Sequence, residues 1–120
     1  MPNAVFKGPD NQPSTSGLRA LSDNGYLHHY YVNGTPFVRD VDFKRAGGSI
    51  STTPSDVDWR TLLVVGLGKG GRSYVALDVS DPSSFTSETA IAGKVLWEFT
   101  HEDMGFSYGR PMIVKTRKWG

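Results

Sequence analysis

The sequence predicts an all-β fold, an antiparallel meander of about one propeller blade with parts of neighbouring blades. Three observations carry this. Short apolar, β-branched and aromatic runs recur between turn signals. No long stretch holds the 3.6-residue apolar period of an amphipathic helix. Gly and Pro are plentiful, 14 and 7 of 120 residues, as suits strands joined by many turns. Without crossover helices, consecutive strands connect through tight turns, so the sheet is expected to be antiparallel.

Residues 1–25 read as an irregular N-terminal arm of Pro, Gly, Asn, Ser and Asp, with at most one helical turn near Leu18 to Leu21. The partial propeller is expected to occupy residues 26–120. Its first strand, 26–32, is aromatic and β-branched and ends at Asn33-Gly34-Thr35-Pro36, a turn signal. The second, 35–43, alternates, placing Phe37, Arg39, Val41 and Phe43 on one face and Val38, Asp40 and Asp42 on the other, solvated one. A Gly/Ser/Thr/Pro loop leads to a strongly apolar strand at 59–66, halted by the glycine-rich run 66–71. Residues 72–79 form the next strand, stopped by Ser80-Asp81-Pro82-Ser83, whose side chains favour a turn. A polar loop to Gly93 follows. Residues 94–100 alternate with Val95, Trp97 and Phe99 on one side, and 110–116 supply a last apolar strand. Four consecutive strands, starting near Thr35, Trp59, Arg72 and Lys94, make the meander of one blade. Gly34-Thr-Pro36-Phe-Val38 is echoed by Gly109-Arg-Pro111-Met-Ile-Val114, so the second copy is expected to open another blade.

Composition excludes several function classes. The 13 Lys+Arg against 12 Asp+Glu leave a formal charge of +1, too little to draw the chain to nucleic acid or anionic lipid. Zero cysteines remove disulfides, thiolate metal sites and cysteine nucleophiles. The longest apolar run, Leu62-Leu-Val-Val65, is far short of a membrane span, and the first residues hold no signal-peptide core.

The motifs that could carry chemistry have structural readings. Gly66-Leu-Gly68-Lys-Gly70-Gly71 fits G-x-G-x-x-G after an apolar strand, but a dinucleotide site needs a helix to follow, and residues 72–79 alternate as a strand. A glycine-rich hairpin is expected instead. His28 and His29 are adjacent, so on a strand they point to opposite faces and cannot chelate one ion together, and His101 is remote in sequence. Asp40, Asp42, Asp56, Asp58, Asp78 and Asp81 read as solvated edges and turn caps, because neither 55–59 nor 78–81 supplies the oxygen density that calcium requires. No serine sits in a nucleophile elbow. No catalytic, cofactor-binding or metal-binding residue is therefore assigned, and the chain is expected not to be an enzyme. Trp59, Trp97, Phe99, Phe106, Tyr108 and Trp119 are expected to pack between blades, with a carbohydrate or peptide platform as the alternative.

Taken together, Tyr31-Val-Asn-Gly-Thr-Pro36, Trp59-Arg-Thr-Leu-Leu-Val-Val-Gly-Leu-Gly-Lys-Gly-Gly71, Tyr74-Val-Ala-Leu-Asp-Val-Ser-Asp-Pro82, Val95-Leu-Trp-Glu-Phe99 and Gly105-Phe-Ser-Tyr-Gly-Arg-Pro111 resemble the C-terminal propeller of the PilY/PilC family of type IV pilus assembly proteins and tip adhesins. The resemblance runs from about Tyr26 to the end of the chain. It implies a piece of an exported, non-enzymatic structural and interaction module that supports pilus assembly and adhesion. It further implies a place at the pilus tip or cell surface, outer membrane or extracellular, with pilins, other pilus components and surface receptors as partners. Family propellers bind calcium through an Asp-rich loop, and some members carry Arg-Gly-Asp; neither is present here, since Arg39-Asp40 lacks the intervening glycine. The Val95–Phe99 strand also resembles the blade repeat of quinone-dependent dehydrogenases, which keeps a fragment of such a propeller and a carbohydrate-binding module as alternative readings. Open strand edges imply self-association.

Overall fold

The computed structural model describes residues 21–22, 24–25, 27–28, 30–44, 53, 55 and 57–114. The expected arm falls almost wholly outside these residues, as do Tyr26, His29, Asp56 and Trp119.

The protein is all-β with little helix, and its four strands form one antiparallel sheet in the order β1-β2-β3-β4, the arrangement of a single meander blade. Strand β1 spans Phe37–Asp42, β2 Trp59–Gly66, β3 Ser73–Asp78 and β4 Val95–Thr100. All four lie where alternation and turn signals place them. The apolar run of β2 takes the interior of the sheet, with Val64 between Phe37 of β1 and Ala76 of β3. Interior strands bury both faces, which is why β2 and β3 supply most of the core: Leu62, Val64, Val65, Val75 and Ala76, joined by Leu67 and Tyr31. Each fully buried aliphatic chain such as Leu67 or Val75 contributes roughly 1.5–3 kcal/mol.

The glycine-rich run is a hairpin connection, and no helix starts at Arg72. Leu67 O accepts from Gly70 N at 3.0 Å and from Asn33 N at 2.9 Å, which folds the turn back onto the segment entering β1. Gly68 sits at φ +60°, a left-handed conformation that favours glycine. The loop between β3 and β4 is more ordered than a polar loop need be. Asp81 caps a 3-10 turn at Pro82–Ser84, and Ser87 caps a short helix α1, Glu88–Ala92, by accepting from Ala90 N at 3.2 Å.

Four expectations are corrected. The strands expected at 26–32 and 110–116 are irregular at their described positions, 27, 28, 30–32 and 110–114. Among the described residues of these segments, Ile113 O accepts from the Arg39 side chain, and none joins a strand ladder. The third correction concerns Asp42, expected on a solvated face but only 7% exposed. Its Oδ1 accepts from Lys44 N and Asp58 N at 3.0 and 2.9 Å, so the carboxylate is satisfied where it closes the β1–β2 loop. The fourth lies in β4. A register shift puts Val95 opposite Leu77 but Trp97 opposite Ala76, so Val95 leaves the face that Trp97 and Phe99 share.

Candidate interaction surface

Simple alternation sorts the sheet into two faces. Phe37 and Arg39 of β1, Leu62 and Val64 of β2, Tyr74 and Ala76 of β3, and Trp97 and Phe99 of β4 pair across the strands onto one of them. That face carries an apolar groove of about 500 Å³, walled along one side by residues 111–114. The 111–114 strap is held by backbone acceptors: Tyr74 OH donates to Gly109 O, and Arg39 Nη1 to Ile113 O, both at 2.8 Å. The Arg110 guanidinium lies 5.6 Å from the centre of the Phe37 ring. Trp97 and Phe99 remain 47% and 56% exposed, and Met112 75%. Trp59, Phe106 and Tyr108 are likewise exposed on this single sheet.

At the hairpin end lies a cleft of about 380 Å³ between residues 33–35 and 107–111, floored by Gly66 and Gly68. Gly34 belongs there because a Cβ on it would collide with the Gly66 carbonyl. Ser107 pins the later segment: it is 3% exposed, accepts from Leu67 N at 2.8 Å and donates to Gly71 O at 3.0 Å. Strand β3 begins at Ser73, just after the glycine run, so no helix N-terminus follows it to face a phosphate.

The opposite end of the sheet gathers the charged groups. Arg60 binds Asp58 at 2.9 Å and approaches Asp78 at 3.5 Å, and the Asp58 carboxylate raises its already high pKa. Ser80 donates to Asp78 Oδ1 from hydroxyl and backbone, and these bonds hold the Asp78 carboxyl below the usual carboxylate range. Ser83 does the same for Asp81. Asp40 accepts from Thr61 Oγ1 at 2.7 Å. The carboxylates therefore close turns and strand ends, each with its own local donors.

His28 packs edge-on against Tyr30 at 4.9 Å. His101, Glu102 and Asp103, all exposed, bring one potential metal-binding atom each within 4.8 Å of one another, a triplet that residue spacing alone did not single out. Its histidine Nδ1 already accepts from Asp103 N at 3.2 Å. No helix among the described residues is long and apolar enough to cross a membrane.

No family model matches the chain, and no solved structure matches it. Curated proteins do. A type IV pilus biogenesis factor PilY1 homolog of Xylella fastidiosa is 40% identical over 100 residues, 81% of this chain and 6% of that protein. Type IV pilus biogenesis factor PilY1 of Pseudomonas aeruginosa is 31% identical over 118 residues in strain UCBPP-PA14, 96% of this chain and 8% of that protein. In strain PAO1 it is 32% identical over 124 residues, 99% of this chain and 8% of that protein. The chain thus spans less than a tenth of the length of these relatives.

Proposed function

The chain belongs, as a PilY1-like segment, to the family of type IV pilus biogenesis factor PilY1, and from that premise we propose that it is a non-enzymatic structural and interaction module of pilus biogenesis. It supplies one blade of a larger propeller, supports pilus assembly and contributes to surface adhesion from a cell-surface or pilus-associated position. Its partners are pilus components and surface receptors, met through protein surface alone, with no cofactor in this segment. The observation that carries the reading is the match along 81–99% of the chain to curated proteins whose printed names specify pilus biogenesis. The architecture supports the absence of chemistry. The G-x-G-x-x-G run is spent on a hairpin, and the aspartates Asp40, Asp42, Asp58, Asp78 and Asp81 each bind local turn or strand donors.

A Pseudomonas aeruginosa strain whose PilY1 has its matched segment replaced by this chain tests the reading. Surface pili counted by electron microscopy are expected near the parental number. A chimera that is exported and folded yet leaves the cells bald would overturn it.

A further inference from the structure

Two Asn-Gly pairs occur among the described residues, Asn24-Gly25 and Asn33-Gly34, and the fold treats them differently. An asparagine side-chain amide is open to attack by the backbone nitrogen of the next residue, which is what makes asparagine thermolabile. A following glycine, having no Cβ, leaves that attack unhindered. At position 25 an added Cβ would meet nothing within 4 Å, so packing does not require the glycine there. At position 34 it would collide with the Gly66 carbonyl, so no bulkier residue that would shield the Asn33 amide can take its place. Asn33 is exposed and lies outside any strand or helix. Among the described residues, neither its side chain nor the Gly34 N–H has a hydrogen-bond partner, which leaves amide and nucleophile free to meet. The surrounding backbone, by contrast, is fixed. Asn33 N donates to Leu67 O at 2.9 Å, and the Asn33 carbonyl sits so close to Gly68 that a Cβ there would come within 2.7 Å of its oxygen. Strand β1 follows at once, from Phe37.

We propose that Asn33-Gly34 is a modification site at which the folded chain deamidates to isoaspartate, and that the product loosens the entry to β1. The Gly34 nitrogen gives its proton to solvent hydroxide and bonds to Asn33 Cγ, the Cγ–Nδ2 bond breaks, and ammonia leaves with a proton from water. Water then opens the five-membered imide. Where it breaks the bond between the Asn33 carbonyl carbon and Gly34 N, the chain continues through Cγ and the former carbonyl becomes a free carboxylate. Nothing is oxidised or reduced; water is taken up and ammonia released. The path from Asn33 to Gly34 is then one methylene longer and carries a new charge. The native turn has no slack for it, since Gly34 lies against Gly66 at the end of β2 and Asn33 against Gly68 in the hairpin. The packing that demands glycine at position 34 therefore both keeps the reaction open and makes its product fit badly. The inference rests on neither the propeller nor the pilus reading.

The test holds the 120-residue chain in mildly alkaline buffer, samples it over days and maps it by electron-transfer fragmentation, which tells isoaspartate from aspartate and position 33 from position 24. Isoaspartate is expected at both pairs, and the urea midpoint is expected to fall in step with the fraction converted at position 33. Asn33→Gln, whose longer side chain must close a larger ring and reacts far more slowly, should keep its starting midpoint throughout. Asn24→Gln should lose stability as the parent chain does. Each variant is compared with itself before incubation, so an effect of the substitution on folding does not enter. Conversion confined to Asn24, or absent at both pairs, would overturn the site. An unchanged midpoint in a sample converted at position 33, or an equal decline in Asn33→Gln, would overturn the consequence for β1. Piliation is not the readout, so failure here leaves the pilus reading intact, and bald cells would leave this one intact.

Discussion

Asp78 shows how a single residue is spent in this protein. Its carboxylate takes two hydrogen bonds from Ser80 and lies 3.5 Å from Arg60, so its pKa is held down and the charged form is favoured in the folded state. A carboxyl with a lowered folded pKa contributes its stability in full above its unfolded value, near pH 4, and loses it as pH falls through the lowered folded value. Ser80→Ala removes the largest cause. The variant is expected to raise the Asp78 pKa toward the ordinary carboxylate value and to cost roughly 0.5 kcal/mol at neutral pH, a modest figure because the pair is near solvent. Carboxyl NMR and urea titrations at pH 7 and pH 3 check both parts, and the difference between variants should shrink in acid. The role as a turn cap was readable from Ser80-Asp81-Pro82-Ser83, since Asp and Ser bond their own neighbouring backbone. The burial of Asp42 was not readable, because its second donor, Asp58 N, lies 16 residues away across a loop.

At the scale of elements, Ser107 ties the β2–β3 hairpin to the chain that leaves β4. Its hydroxyl bridges Leu67 N and Gly71 O in a site 3% exposed, and its backbone N donates to Gly71 O at 3.1 Å. Ser107→Ala is expected to destabilise by about 1–3 kcal/mol, since buried polar groups lose a partner. The loss should appear as a lower urea midpoint at unchanged slope. Faster hydrogen exchange is expected at Leu67. A surface role for Ser107 would leave both measurements unmoved. All four strands were legible from period-2 alternation bounded by Gly, Pro and Asp. The helix α1 was not, because five residues show no period and its existence rests on the Ser87 cap. Nor was the register shift at the start of β4, which depends on how that strand meets β3.

For the whole molecule, the dominant feature is an apolar face that, among the described residues, is covered along one side by 111–114. Trp97, Phe99 and Met112 stay open beside the groove, and exposed contiguous apolar area of this kind promotes association. The 120-residue chain is therefore expected to self-associate or to be marginally stable, with sedimentation velocity showing species larger than a monomer as concentration rises. A concentration-independent monomer with a cooperative melt above about 65 °C, beyond the usual mesophile range, would contradict this. Family membership was legible because the motifs occur in a fixed order along nearly the whole chain. The candidate surface was only half legible. Its aromatic residues stand out in the sequence, but the strap that crosses them was read as another strand.

The sequence by itself determined the all-β class, the positions of four strands, the hairpin at the glycine-rich run and the PilY1-like character. Each of these rests on local information: alternation sets strands, Gly and Asp set turns, and ordered motifs set kinship. Tertiary structure alone decided that the second Gly-x-Pro segment leaves the plane of the sheet, that Asp42 is buried, and that Val95 parts from Trp97. Those outcomes depend on which backbone groups remain free once the four strands have paired, a quantity no single segment encodes.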